Sequence, residues 1–371
     1  MKGTADKSIF PDNILLFLSV VLLITGLFIF MSASFGLLAR EGPGWSSVLF
    51  TQLILGLFGG LILGFFAYII PLRLLRRFAV HIFILSVLGC LLVFIPGLGL
   101  KAGGAARWIV IMGTSFQPSE FLKLAIIILL SAWGAGLGND IKTTRYGLIP
   151  FLGILGIVAG LILTEPDTGT FLVIFTTAVC MFLISGGKIK HLLSIILGMI
   201  LLIGILALFR PYVRARIATF INPSTDPLGN SYQIRQSLLT IGSGRLTGRG
   251  FGQSIQKFQY LPEPMGDSIF AVLGEEFGFL GTMTLVLLYL SLFLRGLFVA
   301  ARSTNKFNRL LASGIAIMII VEAYLHVGAL IGIFPLTGVP LPLVSHGGTA
   351  LMFSIISLGL LLQVSRFKTD S

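Results

Sequence analysis

A polar stretch from Arg210 to Asp267 interrupts segments too apolar to stay in water, and it concentrates the charges that could do chemistry. It carries Arg210, Arg214, Arg216, Arg235, Arg245, Arg249 and Lys257, and it ends in LPEPMGD, whose Asp267 opens the next apolar span. Arginine offers phosphate a planar fork of donors, and lysine offers a point charge. A lone carboxylate beside such a set can take a proton from a hydroxyl while the cations receive charge developing on an anionic leaving group. The pattern points to chemistry on an anionic substrate at a membrane surface. Passage of a solute is the second reading.

Elsewhere charges are few, and each one inside an apolar span costs roughly 2.5–3.5 kcal/mol at a helix centre, so each needs a reason. In FQPSEFLK, Pro118 suits the first helical position and Glu120 the first turn, with Lys123 one turn deeper. Glu120 and Lys123 can pair on one face, and Lys123 is read as facing a polar cavity. In GGAARW, Arg107 can hold a phosphate bidentately, or Trp108 beside it can serve only as an interfacial anchor. EPDTGT at 165–170 reads as a tight, structural hairpin in which Asp167 caps the next helix.

Glu275 and Glu276, in GEEFGFLG, lie about 12 Å further along the helix from Asp267 and are read as bolting helices together. Glu322 and His326 stand four apart on one face; two ligands are too few for a metal site, so they read as a structural carboxylate–imidazole pair. No metal site is assigned.

The elements that position these residues follow from composition. Of 371 residues 56% are hydrophobic and 11% charged, and the mean hydropathy is +1.00, far outside the soluble globular range. Ten mostly apolar runs, each long enough to cross a hydrocarbon core of about 30 Å as a helix, lie near 12–34, 47–70, 78–96, 118–134, 147–164, 168–186, 190–209, 267–294, 309–331 and 343–365. The expected fold is an all-α polytopic membrane protein: one domain over 1–371, with a large extracytoplasmic loop at about 210–267 between the seventh and eighth spans. The 45 Gly and 31 Phe suit close-packed helices in lipid. No internal repeat is visible.

With the N-terminus inside, the inside loops hold Lys2, Lys7, Arg73, Arg76, Arg77, Lys142, Arg145, Lys188, Lys190, Arg295, Arg302, Lys306, Arg309, Arg366 and Lys368, while the short outside loops hold Arg40, Lys101 and Arg107. That bias places both termini in the cytoplasm and the long loop outside. Inside loops facing anionic lipid account for most of the net charge of +12, which removes nucleic acid as a partner. Cys90 and Cys180 fall mid-helix as small hydrophobes, with no disulfide framework. Ser32-Ala33-Ser34 has the look of a signal-peptidase site, but the run before it is too long for a signal peptide and reads as the first span.

Taken in order, GGAARW, FQPSEFLK, EPDTGT, SLLTIGSGRLTGRGFGQSIQKFQYLPEPMGDSIFAVLGEEFGFLG and PLTGVPLPLVSHGG resemble the shape, elongation, division and sporulation family of FtsW, RodA and SpoVE. QSIQKFQYLPEP is more similar to the FtsW and SpoVE branch. The resemblance covers nearly all of the chain. It implies a peptidoglycan glycosyltransferase that polymerises lipid II, the undecaprenyl-diphosphate-linked disaccharide peptide, on the outer face of the cytoplasmic membrane. It also implies a class B penicillin-binding protein as transpeptidase partner, alongside other division or elongation proteins.

Asp267 matches the family's catalytic acid. Arg107 and Lys123 match positions important for activity. With Glu120, Arg214, Arg216, Arg249 and Lys257 they form the expected substrate-binding set. No organic cofactor is expected, and a divalent cation is left open. The rival readings are a lipid II flippase and a non-catalytic scaffold for the transpeptidase. Three positions depart from the family pattern: Met265-Gly266 stands where His-Thr is usual, His346 replaces a tyrosine, and Glu322 with His326 replaces uncharged polar residues.

Overall fold

The computed structural model describes residues 10–39, 44–102, 105–111, 114–222 and 230–367. Lys2, Lys7, Arg40, Lys368 and the 223–229 part of the long loop lie outside the described residues. The helices, in chain order, begin with α1 (Asn13–Ser34), α2 (Trp45–Phe50), α3 (Gly60–Ile69), α4 (Leu72–Arg77) and α5 (Ala79–Leu92). They continue with α6 (Pro118–Leu137), α7 (Ile149–Thr164), α8 (Thr168–Ile184) and α9 (Ile189–Phe209). The long loop contributes α10 (Pro211–Ile221), α11 (Asn230–Ser243) and α12 (Gln256–Gln259), and the chain closes with α13 (Ile269–Ala301), α14 (Lys306–Leu330) and α15 (Gly348–Val364). A wide helical turn joins α2 to α3, giving one apolar run over Trp45–Ile69. Among the described residues seven helical runs are long and apolar enough to cross a membrane, and three more apolar helices are shorter.

The chain is a polytopic, mostly helical membrane protein. Its polarity is inverted relative to a soluble fold: Phe17, Phe65, Leu193 and Leu287 face outward, while Glu120, Lys123, Lys257, Glu276 and Glu322 are buried. In lipid, apolar side chains on the outside carry no penalty, whereas charges must be paired inside. Helix α14 is central, packed against α6, α8, α13 and α15. Helix α9 is peripheral, with only His191 and Ile195 buried. Close approach of α3 and α15 depends on small residues, since a Cβ at Gly359 would lie 2.3 Å from the Gly64 carbonyl oxygen.

Two local features depart from the sequence expectation within the expected all-α membrane fold. In one, β1 (Gly99–Ala102), β2 (Ala105–Ile111) and β3 (Thr114–Phe116) form a small antiparallel sheet in that order, where a glycine-rich loop was expected. Trp108-Ile-Val-Ile is β-branched and aromatic, which suits a pleated surface once its neighbours on both sides can pair with it.

The second feature is a break inside α13. Gly278 sits at φ 63°, ψ −161°, a conformation essentially reserved for glycine. The orphaned groups around the break are met by the long loop: Arg249 and Gly250 N–H donate to the Glu275 and Glu276 carbonyls, and Phe279 and Leu280 N–H donate to the Arg245 and Leu246 carbonyls, at 2.8–3.0 Å. A broken helix is tolerated at membrane depth only with such replacement partners. Gly278 therefore faces its own loop, and a Cβ there would lie 2.4 Å from the Gly248 nitrogen. It does not offer a face to a partner helix. Gly278→Ala is expected to cost at least about 2 kcal/mol from the backbone conformation and the clash, read as a lower unfolding temperature in detergent.

Candidate functional site

The loops at one end of the bundle converge on Asp267. Its turn is built locally: Glu263 adopts φ 42° and its carbonyl accepts from Gly266 and Ser268 N–H at 3.2 and 3.0 Å. The turn is then stitched to the segment before α15, because His346 N–H donates to the Met265 carbonyl at 2.8 Å and Ser345 Oγ to the Gly266 carbonyl at 2.9 Å. Both contacts use the backbone of Met265 and Gly266, so their departure from the family's side chains leaves this scaffold intact. Asp267 is half-buried at the mouth of α13. Gly338 lies against it: a Cβ there would stand 3.6 Å from Asp267 Oδ2, an ordinary contact distance.

Arg107, on β2, reaches the 165–170 turn, its Nε donating to the Glu165 carbonyl at 3.2 Å and its Nη2 to the Pro166 carbonyl. In that turn Asp167 accepts from Thr170 N–H and Oγ1 at 3.1 and 2.8 Å, capping α8 as its position predicts. Arg216, half-buried on α10, donates to Thr168 Oγ1 at 3.0 Å. The Asp267 carboxyl is pushed up from the ordinary carboxylate range by burial and by Glu263, while Arg216 and Arg107 pull against that shift. Burial, reinforced by Asp167, pushes the Glu165 carboxyl up to about 8, with Arg107 opposing. A half-buried carboxylate in the field of two arginines can take a proton from a hydroxyl while the arginines face an anionic group.

The other expected binding residues are placed differently. Arg214 is exposed, two positions from Arg216 and so on the far face of α10. Lys257 is fully buried and pairs with Glu276 at 2.7 Å, and it also donates to Ser32 Oγ at 3.1 Å and to the Gly252 carbonyl at 3.0 Å. Arg249 lies 3.4 Å from Glu275, whose carboxylate also accepts from Ser254 Oγ and from Ile255 and Gln256 N–H at the start of α12. Glu275 and Glu276 thus bolt the long loop to α13 and α1, as expected. They take Lys257 out of any substrate-binding set and engage Arg249.

Lys123 and Glu120 do meet, at 2.8 Å. Lys123 also pairs with Glu322 on α14, and all three are buried. Lys123 is therefore held between two carboxylates and is not open to a diphosphate. The expected Glu322–His326 pair is replaced by this arrangement: His326 Nδ1 donates to the Val339 carbonyl at 2.8 Å, and its Nε2 has no partner among the described residues. Among the described residues no group of three His, Cys, Asp or Glu could hold a metal ion.

Fold and site together define a polytopic membrane protein that brings a carboxylate and two arginines together at one end of the bundle. The family model described as "Cell cycle protein", that of FtsW, RodA and SpoVE, matches residues 13–370, and the chain belongs to this family. It is 37% identical over 365 residues to stage V sporulation protein E of Bacillus subtilis (strain 168), covering 98% of this chain and 99% of that one. With the probable peptidoglycan glycosyltransferase FtsW of Geobacter sp. (strain M18) it shares 35% identity, over 95% and 96% of the two chains. Among solved structures it resembles a chain of a peptidoglycan synthase complex that coordinates polymerization and crosslinking, with TM-score 0.77 and 27% identity over 97% and 99%. The rod shape determining protein RodA of Thermus thermophilus gives TM-score 0.70 and 26% identity over 97% and 98%.

Proposed function

We propose that this chain is a peptidoglycan glycosyltransferase polymerising lipid II into glycan strands, with Asp267 as general base. The observation that carries the reading is the half-buried Asp267 beside Gly338, within the electrostatic reach of Arg216 and Arg107, both of which bond to the 165–170 turn. The carboxylate takes the proton of the acceptor sugar hydroxyl. That oxygen bonds to the anomeric carbon of the donor, and the bond from this carbon to the diphosphate oxygen breaks with its electron pair leaving on lipid diphosphate. Arg107 and Arg216 receive that charge. One base and a stabilised leaving group suffice for inversion at the anomeric carbon. The reaction as drawn uses no organic cofactor, and a chelator added to the assay tests whether a divalent cation shares the diphosphate.

The whole chain is read as one membrane domain of ten spans, with both termini cytoplasmic and the Asp267 end extracytoplasmic. A class B penicillin-binding protein is the proposed transpeptidase partner, in cell division or wall elongation. The functional test is purified protein, with and without such a partner, incubated with labelled lipid II and examined for glycan polymer. Transfer of lipid II across vesicle membranes without polymer would replace this reading with a flippase.

On orientation, a cysteine at Ala218, exposed on α10, is expected to react with an impermeant thiol reagent from outside the cell, and one at the exposed Thr143 is not. The reverse pattern would turn the site to the wrong face. On substrate holding, Arg107→Ala should lower polymerisation about 10- to 100-fold, the worth of a hydrogen bond to a charged group. Arg107→Lys should recover part of it, because an ammonium cannot copy the guanidinium fork. Full activity in the alanine variant would mean that the diphosphate is held elsewhere.

A further inference from the structure

At the end of the bundle opposite Asp267, a cavity of about 710 Å³ opens between α4, the start of α14 and the end of α15. Arg73, Arg76 and Arg366 line it, and no carboxylate is among its described lining residues. Two buried amides also line it with oxygens that lack a partner: Asn308 Oδ1, on a residue 6% exposed, and Gln363 Oε1, on a residue 4% exposed. Gln363 Nε2 donates to the Ile70 carbonyl. Buried acceptors without donors cost free energy that a bound group carrying hydroxyl donors would recover. The exposed Arg73 and Arg76 call for an anion, and the amide oxygens call for hydroxyls beside it.

An apolar track runs away from the same place. The Arg366 guanidinium lies 5.1 Å from the Tyr68 ring centroid. Tyr68 and Leu362 close one end of a groove of about 370 Å³ between α1, α3 and α15, walled by side chains such as Leu23, Phe65 and Leu358. Polar head and apolar tail sites therefore meet at Arg366.

We propose that this cavity and groove bind one anionic phospholipid, its phosphate among the three arginines, its headgroup hydroxyls on Asn308 and Gln363, and an acyl chain along the groove. A phosphate with adjacent hydroxyls describes a phosphatidylglycerol-type headgroup. This site is separate from the Asp267 group and does not depend on the reaction assigned there.

The test uses the full chain in detergent, with short-chain phosphatidylglycerol, short-chain phosphatidylcholine and sn-glycerol 3-phosphate as probes, followed by native mass spectrometry and thermal shift. Phosphatidylglycerol should bind preferentially, and each arginine removed should weaken binding about fivefold, the worth of one basic residue near an anionic surface. Arg73→Gln/Arg76→Gln/Arg366→Gln should lose the preference, while Lys142→Gln/Arg145→Gln/Lys188→Gln, which removes three exposed charges outside the cavity, should keep it. If the arginine variant fails to fold, Asn308→Leu removes an acceptor without touching charge and should weaken phosphatidylglycerol about two- to tenfold. Equal loss in both triple variants would mean diffuse surface charge and overturn the proposal. So would glycerol phosphate competing as well as the lipid, equal binding of phosphatidylcholine, or an unaltered Asn308→Leu.

Discussion

Asp267→Asn is expected to slow glycan polymerisation by about 10²- to 10⁴-fold while lipid II still binds, because asparagine keeps the shape and a hydrogen-bonding group but cannot accept the proton. Burial and Glu263 raise the Asp267 carboxyl, and a base works only when deprotonated. The parent's rate should therefore rise with pH at a point above the value of about 3.9 for an unperturbed aspartate, and the residual rate of the asparagine variant should lack that limb. Glu263, four residues earlier, is exposed, and its carbonyl is what shapes the turn. Glu263→Ala should keep most of the rate and move the pH limb downward, since a neighbouring negative charge is removed. Rate against lipid II concentration and pH for the three proteins decides the matter: a dead Glu263→Ala beside a near-parental Asp267→Asn reverses the assignment.

The apolar helices were legible because a long apolar run is a local property, and seven of the described ones are long enough to cross a membrane: the expected start of the fourth run, Pro118, is the observed start of α6. Asp267 was legible as a charge at the start of an apolar run, and Arg107 as a charge in the short glycine-rich loop before α6. What was not legible depends on distant partners. The break at Gly278 reads as uninterrupted apolar helix in GEEFGFLG, and it exists because the 245–250 segment supplies replacement hydrogen bonds from outside the helix. Arg214 and Arg216 looked equivalent while their segment was taken as loop, and helical phase in α10 separates them. Lys257 looked like one more loop cation, yet its partners Ser32 and Glu276 come from two spans. The four-residue spacing of Glu322 and His326 was a true local signal, overridden by a cation 199 positions away from Glu322.

That cation gives the second large effect. Lys123→Met would leave Glu120 and Glu322 buried with no cation between them, and breaking a buried ion pair in this way costs about 3–5 kcal/mol. Loss of activity in that variant is therefore expected to come with loss of folded protein, measured as lower yield and a lower unfolding temperature in detergent. The neutral replacement Glu120→Gln/Lys123→Met/Glu322→Gln separates positioning from substrate contact. Replacing a whole buried ionic group by neutral side chains of similar volume is often nearly neutral, since the desolvation cost disappears along with the attraction. The triple variant should regain most of the stability, and polymerisation should return with it, because Asp267, Arg107 and Arg216 are untouched. A triple variant that folds as well as the parent yet stays inactive would place Lys123 on the substrate. A Lys123→Met protein as stable as the parent would mean that this buried cluster does not hold α6 to α14.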